Sequence, residues 1–270
     1  MAAVKTVPVR KNADGADSER KKLFRSILFL LIIMAVIAGV VAGLYTLRKL
    51  LFQRNDRFLL RKIEVKSTGY WQDKGDLLAS RLGVRENDNL FELDVRKLRE
   101  KLKEIPSVDI CEVYRTLPDT LNFRIVERNP RALVNNPSSD WVVDQNGVIF
   151  PRGESLAASA SLPVVLGVSL KNVSPGSEVS DIKTAMDLLM LTIRSFPDIS
   201  VVAINIKNPN KLDVYMRYRN QKSCRVFIPA GHKNMSFLLS ALQSAILSAE
   251  RRGDMRGTFD LSFDGTVIVR

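Results

Sequence analysis

The chain has 270 residues, enough for one large or two small globular domains beside a membrane segment. Apolar residues make up 46% and charged residues 26%, which excludes a chain that is disordered throughout. The net charge of +12 does not mark a nucleic-acid-binding module: residues 1–62 carry 13 Lys/Arg against 4 Asp/Glu, whereas the other 208 residues carry 28 against 25.

The basic excess flanks one apolar run, where cations meet anionic headgroups. Residues 1–25 are polar and basic and are expected to form a disordered cytoplasmic tail. Ser26 to Leu47 is a stretch of 22 residues without a formal charge. As a helix it spans about 33 Å, against a hydrocarbon core of about 30 Å. It is too long for the apolar core of a cleaved signal peptide and predicts a transmembrane helix over residues 26–47, in contact with lipid. Arg20, Lys21, Lys22 and Arg25 crowd the short tail and favour an N-terminus in the cytoplasm, with the remaining chain outside.

Arg61 to Lys66 alternates polar and apolar residues and predicts a half-buried strand. Asp73 to Leu82 places Leu77, Leu78 and Leu82 on one helical face, with Gly83 as the stop. Asp94 is suited to cap a second helix, in which Val95, Leu98, Leu102 and Ile105 recur at helical spacing before Pro106. Val108–Arg115 and the alternation of Leu121, Phe123 and Ile125 predict two more strands, joined by the turn residues Thr116-Leu117-Pro118-Asp119. The order is β-α-α-β-β, with helices over one face of a three-stranded sheet and at least one open edge.

In the second half, Val164–Leu166 suits a short strand, and Ile182, Ala185, Leu188, Leu189 and Ile193 form a helical stripe between Val179 and Phe196. Met186 and Met190 read as packing residues. Strands are expected over 200–206, 212–218 and 224–228, followed by a helix capped by Asn234 and running to about Arg252. Phe259, Leu261 and Phe263 alternate with Asp260 and Ser262, and Asp264-Gly265 is a two-residue hairpin signal before Thr266 to Arg270. A strand at the edge of a sheet can receive a partner's strand through main-chain hydrogen bonds.

No catalytic chemistry is recognisable. The single histidine, His232, has no clustered Cys or His to make a metal site with, and neither a phosphate loop nor a nucleophile elbow is present. Asp144 with Gly147 reads as a turn, and Asp260 and Asp264 as surface and turn residues. Cys111 and Cys224 are either buried small hydrophobes or the halves of one long-range disulfide. Catalytic residues, metal ligands, cofactors and a small-molecule substrate are therefore not expected.

Asn89-Leu90-Phe91-Glu92-Leu93-Asp94, then Ile105-Pro106-Ser107-Val108, then Val113 to Leu121 resemble a POTRA domain. Val126-Glu127-Arg128-Asn129-Pro130-Arg131-Ala132 and Val143-Asp144-Gln145-Asn146-Gly147-Val148-Ile149-Phe150 resemble the bacterial cell-division family FtsQ/DivIB. The resemblance covers the whole layout. It implies an α+β chain: one N-terminal transmembrane helix, a POTRA domain over 58–131, and a β-rich domain with two amphipathic helices over 132–270. It further implies a non-enzymatic inner-membrane scaffold at the division septum that binds FtsB-like and FtsL-like single-pass proteins. On that basis Phe263, Gly265, Thr266, Val267, Ile268, Val269 and Arg270 are the expected partner surface, although Val267 and Val269 also suit the core face of a closing strand. The alternative is a POTRA-containing export or outer-membrane assembly factor, which would normally carry several such modules before a barrel.

Overall fold

The structure, a computed structural model, describes residues 14–53, 55–157, 161–171, 173–219, 222–231, 234–253, 257–263 and 266–269. It divides into two compact units, Met1–Leu59 and Leu60–Arg270.

The first unit is dominated by helix α1, Asp14–Arg48. Within it Phe24–Arg48 is 25 residues long, has a mean hydropathy of 3.1 and is buried nowhere, so it is long and apolar enough to cross a membrane. The helix begins at Asp14, well before Ser26. Glu, Arg and Lys are good helix formers, and a turn added to an existing helix avoids the cost of nucleation. The helix continues into a π-helical turn, Lys49–Gln53, and then a 3-10 turn, Asp56–Phe58. The Asn55 side chain accepts from the Arg57 amide at 3.0 Å, which caps the start of the 3-10 turn.

The second unit opens with β1 (Lys62–Lys66), α2 (Gly75–Leu82), α3 (Val95–Lys103), β2 (Val108–Thr116) and β3 (Thr120–Glu127), the predicted β-α-α-β-β order. The sheet runs β1-β3-β2, with β1 parallel and β2 antiparallel to the central β3. Ile63 and Val65 lie opposite Leu121 and Phe123 and turn toward the helices, which bury Leu78, Leu82, Leu98 and Leu102 against them. The Asp94 side chain accepts from the Arg96 and Lys97 amides, and Gly83 takes the left-handed conformation (φ 76°) that closes α2. Leu77 departs from expectation. Asp73 has φ 59°, so the helix starts at Gly75, and Ala79 is buried while Leu77 is 50% exposed.

The loop after β1 is held by one carboxylate. Glu127 Oε1 accepts from the Ser67 hydroxyl (2.6 Å) and the Trp71 amide (2.8 Å), and Oε2 accepts from the Tyr70 amide (2.7 Å). Gly69 permits this approach, because a Cβ there would collide with the Glu127 carboxylate.

The remainder forms one nine-stranded sheet. Its strands are β4 (Ala132–Val134), β5 (Trp141–Val143), β6 (Ile149–Pro151), β7 (Val164–Leu166), β8 (Ile199–Asn205), β9 (Lys211–Tyr218), β10 (Lys222–Pro229), β11 (Thr258–Phe263) and β12 (Thr266–Val269). The order is β12-β11-β10-β9-β8-β7-β4-β5-β6. Helices α4 (Lys183–Ser195) and α5 (Met235–Arg251) contribute to its main core. Strands β4, β5 and β6 escape a periodicity reading because each has three residues and feeds both faces. Ala132, Val134 and Val143 enter the main core, while Leu133, Val142 and Phe150 form a smaller cluster.

Helix α4 starts at Lys183, after a 3-10 turn over Ser180–Ile182, and its stripe is rotated from the expected one. Thr192 is buried, donating its hydroxyl to the Leu189 carbonyl at 2.8 Å, and Ile193 is 55% exposed. Asn234 caps α5 by accepting from the Phe237 amide at 3.1 Å.

Two polar contacts join the three-stranded and nine-stranded parts. Arg128 reaches Asp144 at 2.8 Å and Asp109 at 3.4 Å through Nη1, and donates from Nε to the Pro106 carbonyl at 3.1 Å. Asp144 also accepts from the Asn146 and Val148 amides at 2.8 and 2.9 Å, so the predicted turn residue is an ion-pair partner as well. In the second contact, Glu154 accepts from Arg81 at 2.9 Å and from the Ser107 hydroxyl at 2.8 Å, and Ser107 in turn accepts from Trp71 Nε1 at 3.0 Å.

Cys111 and Cys224 are free, buried thiols in two different hydrophobic clusters. Burial is the main cause that pushes both above the ordinary 9.0, so the thiolate is disfavoured in the fold. Stability from this source is full below the ordinary value and declines as pH rises through the raised folded value.

Replacing Arg128 by Ala leaves the Asp144 carboxylate buried without its cation. Thermal or urea unfolding of the detergent-solubilised chain is expected to show a loss of about 3 kcal/mol. Maleimide labelling at pH 8 is expected to be roughly tenfold or more slower for both cysteines in the folded chain than in urea. Fast labelling of the folded chain would show that the two clusters open readily.

Candidate functional site

The β11–β12 hairpin closes one end of the nine-stranded sheet. Strands β10 and β11 are parallel and adjacent, with α5 as the connection between them, as a parallel pair requires a crossover. Helix α5 packs on both β11 and β12. Phe259 lies opposite Val269, and Val267 and Val269 pack against the main core, so one face of β12 closes the sheet. Ile268 lies on the other face, opposite Asp260, and is partly buried. Phe263 is 49% exposed and pairs with Thr266, which is exposed, across the hairpin. Gly265, Arg270 and Asp264 lie outside the described residues. Asp260 is a correction to the sequence expectation: it is buried, not superficial, in register between Phe227 and Ile268, and its carboxylate accepts from the Ser262 amide at 3.0 Å.

The other strand edges of the unit are occupied to differing degrees. The β6 edge is met by the segment 176–178: the Ile149 amide donates to Ser177 at 3.1 Å, the Gly176 amide donates to Ile149 at 2.8 Å, and Val148 bridges Glu178. At β2, Arg99 Nε donates to the Cys111 carbonyl at 3.3 Å. At β1, Gly75 backs onto the strand so closely that a Cβ there would stand 3.2 Å from the Ile63 carbonyl oxygen. Beyond β12 no described segment pairs with the sheet.

Inward from this edge, past β11, the strands β9 and β10 present a ladder that sequence reasoning did not single out. Arg225 makes two hydrogen bonds to Asp213, at 2.9 and 2.8 Å, and sits 5.4 Å from the Tyr215 ring centroid. Lys211 lies 4.5 Å from the centroid of Phe227. The Asp213 hydrogen bond, more than any other influence, raises the already high pKa of Arg225. The period-two run Lys211, Asp213, Tyr215, Arg217 in a strand whose alternate residues are buried was the available signal.

Among the described residues no group of three or more His, Cys, Asp or Glu is placed to hold a metal. His232 lies outside the described residues. The arrangement offers main-chain hydrogen bonding at the β12 edge, with aromatic and cationic side chains farther in on the same sheet. An open strand edge can receive an added strand through main-chain hydrogen bonds.

Comparison with known proteins agrees with this architecture. A family model described as POTRA domain, FtsQ-type, matches residues 58–128, which contain all of β1 to β3. The cell division protein FtsQ of Geotalea daltonii is 33% identical over 112 residues, covering 40% of this chain and 39% of that protein. The cell division protein DivIB of Clostridium acetobutylicum is 21% identical over 196 residues, 72% of this chain and 76% of that one. FtsQ of Corynebacterium glutamicum is 28% identical over 127 residues, 47% and 52% of the respective chains. The chain thus spans well under half of the Geotalea relative and about half of the Corynebacterium one. Residues 58–128 match the FtsQ-type POTRA domain, and the chain is similar over parts of its length to the FtsQ and DivIB cell-division proteins.

Proposed function

We propose that this chain is a non-enzymatic, single-pass membrane scaffold of the bacterial divisome. Its N-terminus lies in the cytoplasm and its POTRA and β domains lie outside, where they bind other division proteins and link septal wall synthesis to the division ring. The observation that carries this reading is the β12 edge: a strand backed on one face by α5, beyond which no described segment pairs, in a unit where other edges are met by chain segments or side chains. An FtsB-like protein adds a strand there, held with FtsL, and Phe263 with residues 265–270 forms the contact. The spanning length of Phe24–Arg48 and the division names carried by the relatives support the location. Packing of α4 and α5 into the sheet's core weighs against an outer-membrane barrel.

The test is a pull-down from membranes with three baits: the full chain, a chain ending after Gly265, and Val269→Pro, at a residue whose amide faces away from β11. Proline removes one edge amide without shortening the chain. FtsB- and FtsL-like proteins are expected to co-purify with the full chain and to fall roughly tenfold or more with the other two, as loss of a few main-chain bonds implies. Thermal unfolding establishes that all three baits are folded. Equal recovery by folded baits would make β12 purely structural. Absence of division proteins from every bait would sink the divisome reading itself.

A further inference from the structure

The chain leaves α1 through a segment with an unusual combination of groups. Residues 48–59 contain four Lys/Arg (Arg48, Lys49, Arg54 and Arg57) against one acid, Asp56. Arg48, Lys49 and Arg57 are all exposed. Among them stand Leu51, 51% exposed, and Phe52, 38% exposed, whose ring stacks on Phe58 with centroids 6.0 Å apart. In water such a cluster of exposed apolar groups is unfavourable. It follows directly, without a linker, on a helix long enough to cross a bilayer.

The path of the backbone explains how rings and cations come together. The π-helical turn at Lys49–Gln53 accommodates an extra residue, and the capped 3-10 turn at Asp56–Phe58 brings the chain back so that Phe58 meets Phe52. A straight continuation of α1 would carry residue 58 about 9 Å farther along the axis than residue 52. The result is a compact collar rather than a helix projecting into water. Aromatic rings favour the headgroup level of a bilayer, and Lys and Arg beside them face phosphate.

We propose that residues 48–53 and 55–58 form a collar that binds anionic phospholipid, with the Phe52–Phe58 stack and Leu51 seated at the acyl boundary and Arg48, Lys49 and Arg57 on headgroup phosphates. The collar fixes the depth at which α1 ends, in whichever leaflet it emerges. This rests on the reading of α1 as membrane-spanning, which resistance of the chain to alkaline carbonate extraction tests separately.

The experiment uses the full chain, with Phe52→Trp or, as a second reporter, Leu51→Trp, reconstituted in mixed vesicles of phosphatidylglycerol and phosphatidylcholine. Either the anionic or the zwitterionic lipid carries brominated acyl chains, at the same mole fraction. The signal of the unsubstituted chain, which holds Trp71 and Trp141, is subtracted. Quenching by brominated phosphatidylglycerol is expected to exceed that by brominated phosphatidylcholine about twofold or more, since each cation near an anionic surface enriches that lipid several-fold. The ratio is expected to fall to one when Arg48, Lys49 and Arg57 are all replaced by Gln. If neither lipid quenches either reporter in a chain that resists extraction, the collar stands in water and the proposal fails. A ratio of one in the starting protein, or a ratio unmoved by the Gln replacements, overturns the anionic recognition.

Discussion

The second unit depends on two consecutive residues at the end of β3. Glu127 faces the POTRA domain, where its carboxylate takes two backbone amides and a hydroxyl from the loop between β1 and α2. Arg128, the next residue, points the other way and binds Asp144 at the turn between β5 and β6. Side chains of successive extended residues point to opposite sides, so one position on the chain fastens both parts. The Arg128–Asp144 pair is largely buried, with 17% and 5% of the side chains exposed, and a buried pair is costly to half-remove. Asp144 simultaneously holds two amides of its own turn. Loss of the pair therefore loosens the hairpin that ends the nine-stranded sheet on this side.

The second unit is left with strand edges that are unequally covered. The three-stranded sheet has Arg99 at β2 and Gly75 behind β1, and the large sheet has the 176–178 segment against β6. Edges left open invite pairing with other chains, and proteins commonly cover them. At the far end, β12 is supported from beneath by α5, itself the crossover that makes β10 and β11 parallel. A strand added there would meet a rigid template, which lowers the ordering cost of association.

Much of the POTRA domain was legible because its strands and helices are long enough to show their periods. The stripe of α3 and the alternation Leu121, Phe123, Ile125 name the buried residues directly. Leu77 and Ile193 were misplaced because apolar residues occur next to the true stripe and the helix start decides the rotation. Neither Asp73's left-handed backbone nor the 3-10 turn before Lys183 is announced by composition. Strands β4 to β6 were lost for a different reason: three residues buried on both faces show no alternation. At the candidate site, the hairpin was visible from its turn dipeptide, and the two-sided character of β12 from its valines. The burial of Asp260 and the Arg225 ladder were not visible, since both arise from neighbours across the sheet that a linear reading does not supply.

Trp71 gives the junction an optical property. Its ring is fully buried in the POTRA core, yet its indole N–H donates to Ser107, whose hydroxyl donates to Glu154 in the β domain. The polar end of the chromophore is thus connected by one hydroxyl to the opposite side of the joint, while its apolar body remains in hydrocarbon surroundings. Indole emission shifts with the polarity and hydrogen bonding of its environment. Parting of the two domains would change the colour of a native residue before either core is exposed, giving the chain an intrinsic gauge of its own interdomain contact.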